Sequence, residues 1–245
     1  MPSPRLTLGL ICTACVALPG CHRSAATFEA EAALTPGAVY HGPSIATFRL
    51  PVSALTIGQI SRELEAMVDV NHALAEIASL NGEPGQASQN QQASQLRSVD
   101  AAHTQRLSKM LDVIGWPTER VFGRDAAIGA FVIARHSTHD PDFQRRCLAL
   151  MHDRLASGEI DPQRVAVLTD LVRIDEGLGQ LYGTQIRLAR NEHGTLVATE
   201  AAPIADPETL DDRRDLLGLD PWRHYCRKMA DTADRARTPS LVRNR

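Results

Sequence analysis

The sequence predicts a mainly α-helical single domain, with about six or seven helices and one small β-hairpin. Three observations carry that expectation. Aromatic residues make up 4% of the chain and hydrophobic residues 43%, so Leu, Ile, Val and Ala must fill the core. Such a composition suits helices better than stacked sheets. Asp-Pro pairs at 140–141, 161–162, 206–207 and 220–221 each read as a helix start, with Asp as N-cap and Pro at the first helical position. Finally, Asn191-Glu192-His193-Gly194 separates two short, loosely alternating segments, as a hairpin turn does.

The N-terminus sets the expected compartment. Arg5 precedes an apolar run over residues 6–18, too short to span a bilayer and suited to the h-region of an export signal. The run ends in Leu18-Pro19-Gly20-Cys21, which resembles the bacterial lipobox, where the Cys is lipidated and becomes the new N-terminus. Residues 1–20 are therefore expected to be a lipoprotein signal peptide. Cys21 is the expected lipidation site, and 21–52 a tether of low periodicity with a short extended piece near 45–50. The anchor would hold the mature chain to the bacterial membrane, facing the periplasm. His22, rather than Asp, after the Cys favours the outer membrane. Removing the signal leaves 25 basic against 29 acidic residues. No basic patch argues for nucleic acid as a partner, and the Arg145-Arg146 and Arg213-Arg214 pairs, beside acids, read as solvated faces.

The globular domain is expected over 53–237. A long amphipathic helix begins near Ser53, with Ile57, Ile60, Leu64, Met67 and Val68 on one face. The Gln/Ser/Gly-rich stretch 81–94 reads as a flexible surface loop. A second helix follows from about Gln95 to Ile114 and points His103 inward, until Gly115-Trp116-Pro117 stops it. Ala126 to Ala134 is apolar on all sides, which marks a helix surrounded by its neighbours. Helices from Pro141, Pro162, Pro207 and Pro221 complete the domain, and 238–245 reads as a frayed tail. Once Cys21 is lipidated, Cys147 and Cys226 remain. They are either two buried thiols on apolar helix faces or a disulfide in an oxidising compartment.

Several phrases together are similar to an uncharacterised bacterial family, known only as a domain of unknown function. They are Val99-Asp100-x-x-His103-Thr104-x-Arg106-Leu107, Gly115-Trp116-Pro117-Thr118, Phe131 to Pro141 with His136, and Phe143-Gln144. Gln180-x-Tyr182-Gly183-Thr184-Gln185, Pro203-Ile204-x-Asp206-Pro207 and Arg213-Arg214 before Gly218-Leu219 continue the pattern. The resemblance covers roughly residues 95–225 and implies no activity.

Candidate chemistry is sparse. His136 and His139, with either Asp140 or inward-facing His103, form a conceivable three-ligand metal set, but they lack zincin spacing and Asp140 already serves as a cap. His136 fits equally well as a hydrogen-bonded structural histidine near a helix end. No GxSxG elbow, GxGxxG or Walker pattern occurs, so no cofactor is expected. Tyr182, Gln185 and Arg214 could hold a small polar or anionic ligand, with His136 and Gln144 on an opposite wall. Alternatively, Tyr182 and Gln185 tie the hairpin to the helices while Arg214 pairs with Asp211 or Asp215. The sequence thus points to an envelope lipoprotein acting as a binding or interaction module for an unknown protein or small polar ligand. The alternative is an envelope hydrolase or small-ligand enzyme using those five residues.

Overall fold

A computed structural model describes Val52 and residues 55–80 and 86–237. Helices α1 (Ile57–Leu80), α2 (Gln86–Ile114), α3 (Glu119–Phe122), α4 (Arg124–His136), α5 (Pro141–Leu155) and α6 (Pro162–Asp175) come first. Strands β1 (Ile186–Arg190) and β2 (Leu196–Glu200) follow, then a 3-10 turn (Pro207–Thr209), α7 (Leu210–Leu216) and α8 (Trp222–Arg237). The fold is mainly α with one hairpin among the described residues, as the composition and Asp-Pro spacing imply. The signal segment, Cys21 and the tail 238–245 lie outside the described residues.

Helix α4 is the centre. It packs against α1, α2, α3, α5 and α6, and Ala126, Ala127, Gly129, Ala130, Phe131, Ile133 and Ala134 are all buried along it. A helix with so many neighbours needs apolar residues on more than one face, which its sequence supplies. Small residues also let the partners approach. A Cβ built on Gly129 would lie 2.8 Å from the Leu64 carbonyl oxygen, so α1 and α4 touch backbone to backbone. Around α4 the core collects Leu64, Met67, Leu107, Met110, Cys147, Met151, Val165 and Leu168, all fully buried. Glu63 of α1 and Arg106 of α2 form a largely buried ion pair between those two helices.

Three expectations are corrected. Helix α2 starts at Gln86, nine positions before Gln95, because Gln and Ala propagate a helix well once one is nucleated; only 81–85 of the expected loop lie outside the described residues. Two of the four Asp-Pro caps form. The Asp140 carboxylate accepts from Phe143 N at 3.0 Å and that of Asp161 from Gln163 N at 2.9 Å. Asp206 instead adopts a left-handed φ of 42° and caps nothing through its side chain. At α8 the Trp222 amide is taken by the carboxylate of Asp211 at 2.7 Å, not by Asp220. Of the two alternatives left open for Cys147 and Cys226, the structure has the free thiols, both buried. Cys147 belongs to the α4-centred core, whereas Cys226 sits on α8, which packs on β2 and α7. Last, Arg213 and Arg214 do not form a solvated face: Arg214 is fully buried.

The hairpin pairs Ile186 with Glu200 and Arg190 with Leu196 in antiparallel register. Its turn is set by Asn191, whose side-chain oxygen accepts from His193 N and Thr195 N at 3.0 and 2.9 Å. Gly194, at φ 75°, supplies the left-handed position. Helix α8 covers β2.

Candidate functional site

The densest polar structure lies between the end of α6 and the start of β1, over residues 179–185. Within this segment only Gln180 and Gln185 pair backbone to backbone, with residues 201–205, and the other buried backbone polar groups must find partners elsewhere. Side chains supply them. Asp170, fully buried on the inner face of α6, accepts from Leu181 N and Tyr182 N at 2.7 and 3.0 Å through one oxygen. Its other oxygen accepts from Thr184 N and Thr184 Oγ1, both at 2.8 Å. One carboxylate thus gathers three backbone amides and a hydroxyl.

The carbonyls of the same segment are met by cationic and aromatic donors. Arg173 Nε donates to Gly179 O at 2.7 Å, Arg213 Nε to Leu181 O at 2.8 Å and Arg214 Nη1 to Tyr182 O at 2.5 Å. Trp222 Nε1 donates to Gly183 O at 2.9 Å, and the Tyr225 hydroxyl to Thr184 O at 3.1 Å. Gln180, also fully buried, closes the ends. Its amide nitrogen donates to Gln185 O and Ala202 O, and its oxygen accepts from Gln185 N at 2.8 Å. Its backbone makes a parallel bridge with Ile204. Every carbonyl from Gly179 to Gln185 therefore has a donor, the Gln180 carbonyl taking Ala205 N at 2.9 Å.

Gly183 shows why this packing permits no side chain there. Its φ is 63°, and a Cβ would come within 2.6 Å of Trp222 Nε1. Arg214 bridges the segment to α8: its Nε donates to Asp220 O at 2.6 Å, and its guanidinium lies 4.9 Å from the centre of the Tyr225 ring, a cation–π distance. Burial pulls the Arg214 guanidinium below its ordinary pKa, opposed by Tyr225 and then Asp211, yet guanidinium stays charged in proteins. Burial pushes Tyr225 up to about 12 despite the nearby Arg214. Arg214 Nη2 is buried with no hydrogen-bond partner.

The residues singled out in the sequence fall into two hydrogen-bonded systems. Tyr182, Gln185 and Arg214 belong to the 179–185 segment. Gln185 Nε2 reaches Thr184 Oγ1 at 3.0 Å and Val167 O of α6 at 3.4 Å. Tyr182 is half-buried, and burial, followed by the charge of Asp170, raises its hydroxyl above the ordinary tyrosine range. Arg214 is held by carbonyls rather than by Asp211 or Asp215. Gln144, by contrast, is buried on α5, and its amide donates to Ala134 O and Arg135 O at 3.0 and 3.2 Å. It closes the C-terminal end of α4, where carbonyls lack helical partners. His136 is the last residue of that helix and half-buried.

His103 faces inward, 2% exposed, with Nδ1 unpartnered, and burial lowers its pKa to about 4. Beside it in sequence, Thr104 Oγ1 lies 2.7 Å from Ser137 Oγ, joining α2 to the end of α4. His139 is exposed. His103, His136 and His139 do not assemble into a metal-binding group among the described residues. Cys147 and Cys226 both have thiol pKa values raised by burial, which leaves them protonated and poor nucleophiles.

Asp170 and Tyr225 escape sequence reasoning. The one available signal for Asp170 is an acid on the buried stripe of α6, between Val165, Ala166, Leu168 and Val172. An acid in that position needs several donors.

No curated protein and no solved structure matches the chain. A family model described as a family of unknown function, DUF6624, matches residues 58–235, nearly the whole described domain. The chain belongs to that family.

Proposed function

We propose that this chain is a bacterial envelope lipoprotein, anchored through Cys21, whose helical domain serves as a binding or interaction module. One observation carries the reading: the apolar run over 6–18 ends at Leu18-Pro19-Gly20-Cys21, where lipidation chemistry needs its cysteine. The matched family begins at residue 58, which supports an anchor segment lying ahead of the domain. No helix among the described residues is long and apolar enough to cross a membrane; the lipid is the proposed attachment. Two further observations tell against a catalytic or small-ligand role for the residues singled out in the sequence, which leaves an interaction surface as the better-supported reading. Gln144, Gln185 and Arg214 are engaged in holding backbone carbonyls. Cys147 and Cys226 are buried and protonated.

The test is Cys21→Ser in cells of a bacterium with an envelope. The substituted chain should leave the membrane fraction, and a chain that stays there unchanged contradicts the proposal.

A further inference from the structure

We infer that the end of the domain carrying Ile57, Val113 and Val121 rests on the bilayer surface, so that the anchored module has a fixed membrane-facing side. This rests on the lipid-anchor reading and goes beyond it. Five large hydrophobic residues are exposed among the described residues, and these three are 52%, 53% and 43% exposed. They gather at one end of the fold. Ser61, one turn after Ile57 on α1, donates to Phe122 O at 2.7 Å, which sets Val121 beside the start of α1. The Glu63–Arg106 pair fixes the register of α1 against α2. Moving about six or seven residues outward along each helix brings Ile57 and Val113 to the same level.

The chain enters the domain at this end. Val52 is buried in the core and Leu55 packs against it, directly before Ile57. A lipid on Cys21 lies 31 positions upstream of Val52, the described residue nearest the anchor along the chain. Three half-exposed aliphatic side chains bind a bilayer weakly from solution. Tethering makes the contact intramolecular and raises the effective concentration of the surface. Aliphatic side chains seat at the headgroup–acyl boundary without a matching partner shape, so a bilayer is the occupant this cluster fits. The opposite end carries Leu216 on α7, 86% exposed. Arg164 of α6 pairs with Glu119 of α3 at 2.9 Å, whereas Asp170 and Arg173, later on α6, hold the segment that α7 covers. The length of α6 therefore separates Leu216 from Val121.

The test uses the full lipidated chain in vesicles of phosphatidylethanolamine and phosphatidylglycerol, with a polarity-sensitive fluorophore at Ile57→Cys, Val121→Cys or, as the far-end control, Leu216→Cys. Cys147 and Cys226 are buried and stay unlabelled while the fold is intact, which reports folding of each variant. With brominated acyl chains, the probes at 57 and 121 should lose about half their emission and the probe at 216 almost none, as burial at the headgroup–acyl boundary requires. Flotation without quenching at 57 and 121, or equal quenching at all three sites, overturns the inference while leaving the anchor intact. A blue shift without bromolipid quenching also overturns it and assigns the patch to a second copy or another protein. Chains that fail to float remove the anchor reading and this inference together.

Discussion

Asp170 and Thr184, fourteen positions apart in the chain, meet through two hydrogen bonds to one carboxylate oxygen, from the Thr184 amide and hydroxyl, both 2.8 Å long. The other oxygen holds Leu181 and Tyr182. Around this carboxylate the segment 179–185 keeps a shape that no regular secondary structure imposes. The polar residues that look like a site in the sequence are, in space, the parts of a clamp. Asp170→Asn turns one accepting oxygen into a donor facing donors. It should cost about 2–4 kcal/mol in urea unfolding, the range for a broken buried polar network. Thr184→Val removes only the hydroxyl and should cost about 1 kcal/mol.

Gly183 and Trp222 should couple. Gly183→Ala meets both the positive φ and the indole, and should destabilise by about 2 kcal/mol or more. In a Trp222→Phe background the added methyl meets a smaller ring, while the Gly183 carbonyl has already lost its donor. A double-mutant cycle should therefore show the pair to be non-additive by about 0.5–2 kcal/mol. Strict additivity would mean that the contact is not formed.

Acid sensitivity should trace to His103. Its folded pKa, about 4, is below the ordinary 6.5 because burial penalises the charged ring. Between those values the unfolded chain binds a proton that the folded chain refuses, so stability falls as pH drops from about 6.5 to 4 and levels off below, for this residue. The slope approaches about 1.4 kcal/mol per pH unit. Unfolding free energies measured across that window should lose most of this slope in His103→Asn. An unchanged slope would assign the acid sensitivity to other groups.

Cys147 and Cys226 should behave as core side chains. Peptide mapping after a thiol-specific reagent should find both unmodified in the native protein and both modified after denaturation, without prior reduction. A fraction that reacts only after reductant would reveal a disulfide, against their placement as free thiols.

Much of the fold was legible because its signals are local. Helical periodicity around Leu64 and Met67, the caps at Asp140 and Asp161, and the Asn191–Gly194 turn each lie within a few residues of what they determine. The start of α2 at Gln86 was hidden because Gln and Ser serve exposed helices and loops alike. The clamp was hidden for a different reason. Asp170, Arg213 and Arg214 act across 11 to 32 positions on backbone groups, and a backbone carbonyl leaves no mark in a sequence. Arg214 beside Asp211 and Asp215 looked like a surface ion pair. The need of a buried loop for donors decided otherwise.

Native-state hydrogen exchange at Leu181, Tyr182 and Thr184 reports whether Asp170 holds the segment closed in the folded protein. If Asp170 clamps the segment as part of the scaffold, these three amides should exchange as slowly as those of α4, through global unfolding. Exchange orders of magnitude faster than α4, in a folded protein, would instead mark the segment as a loop that opens independently, as a ligand-gated site requires, and would rule out the clamp.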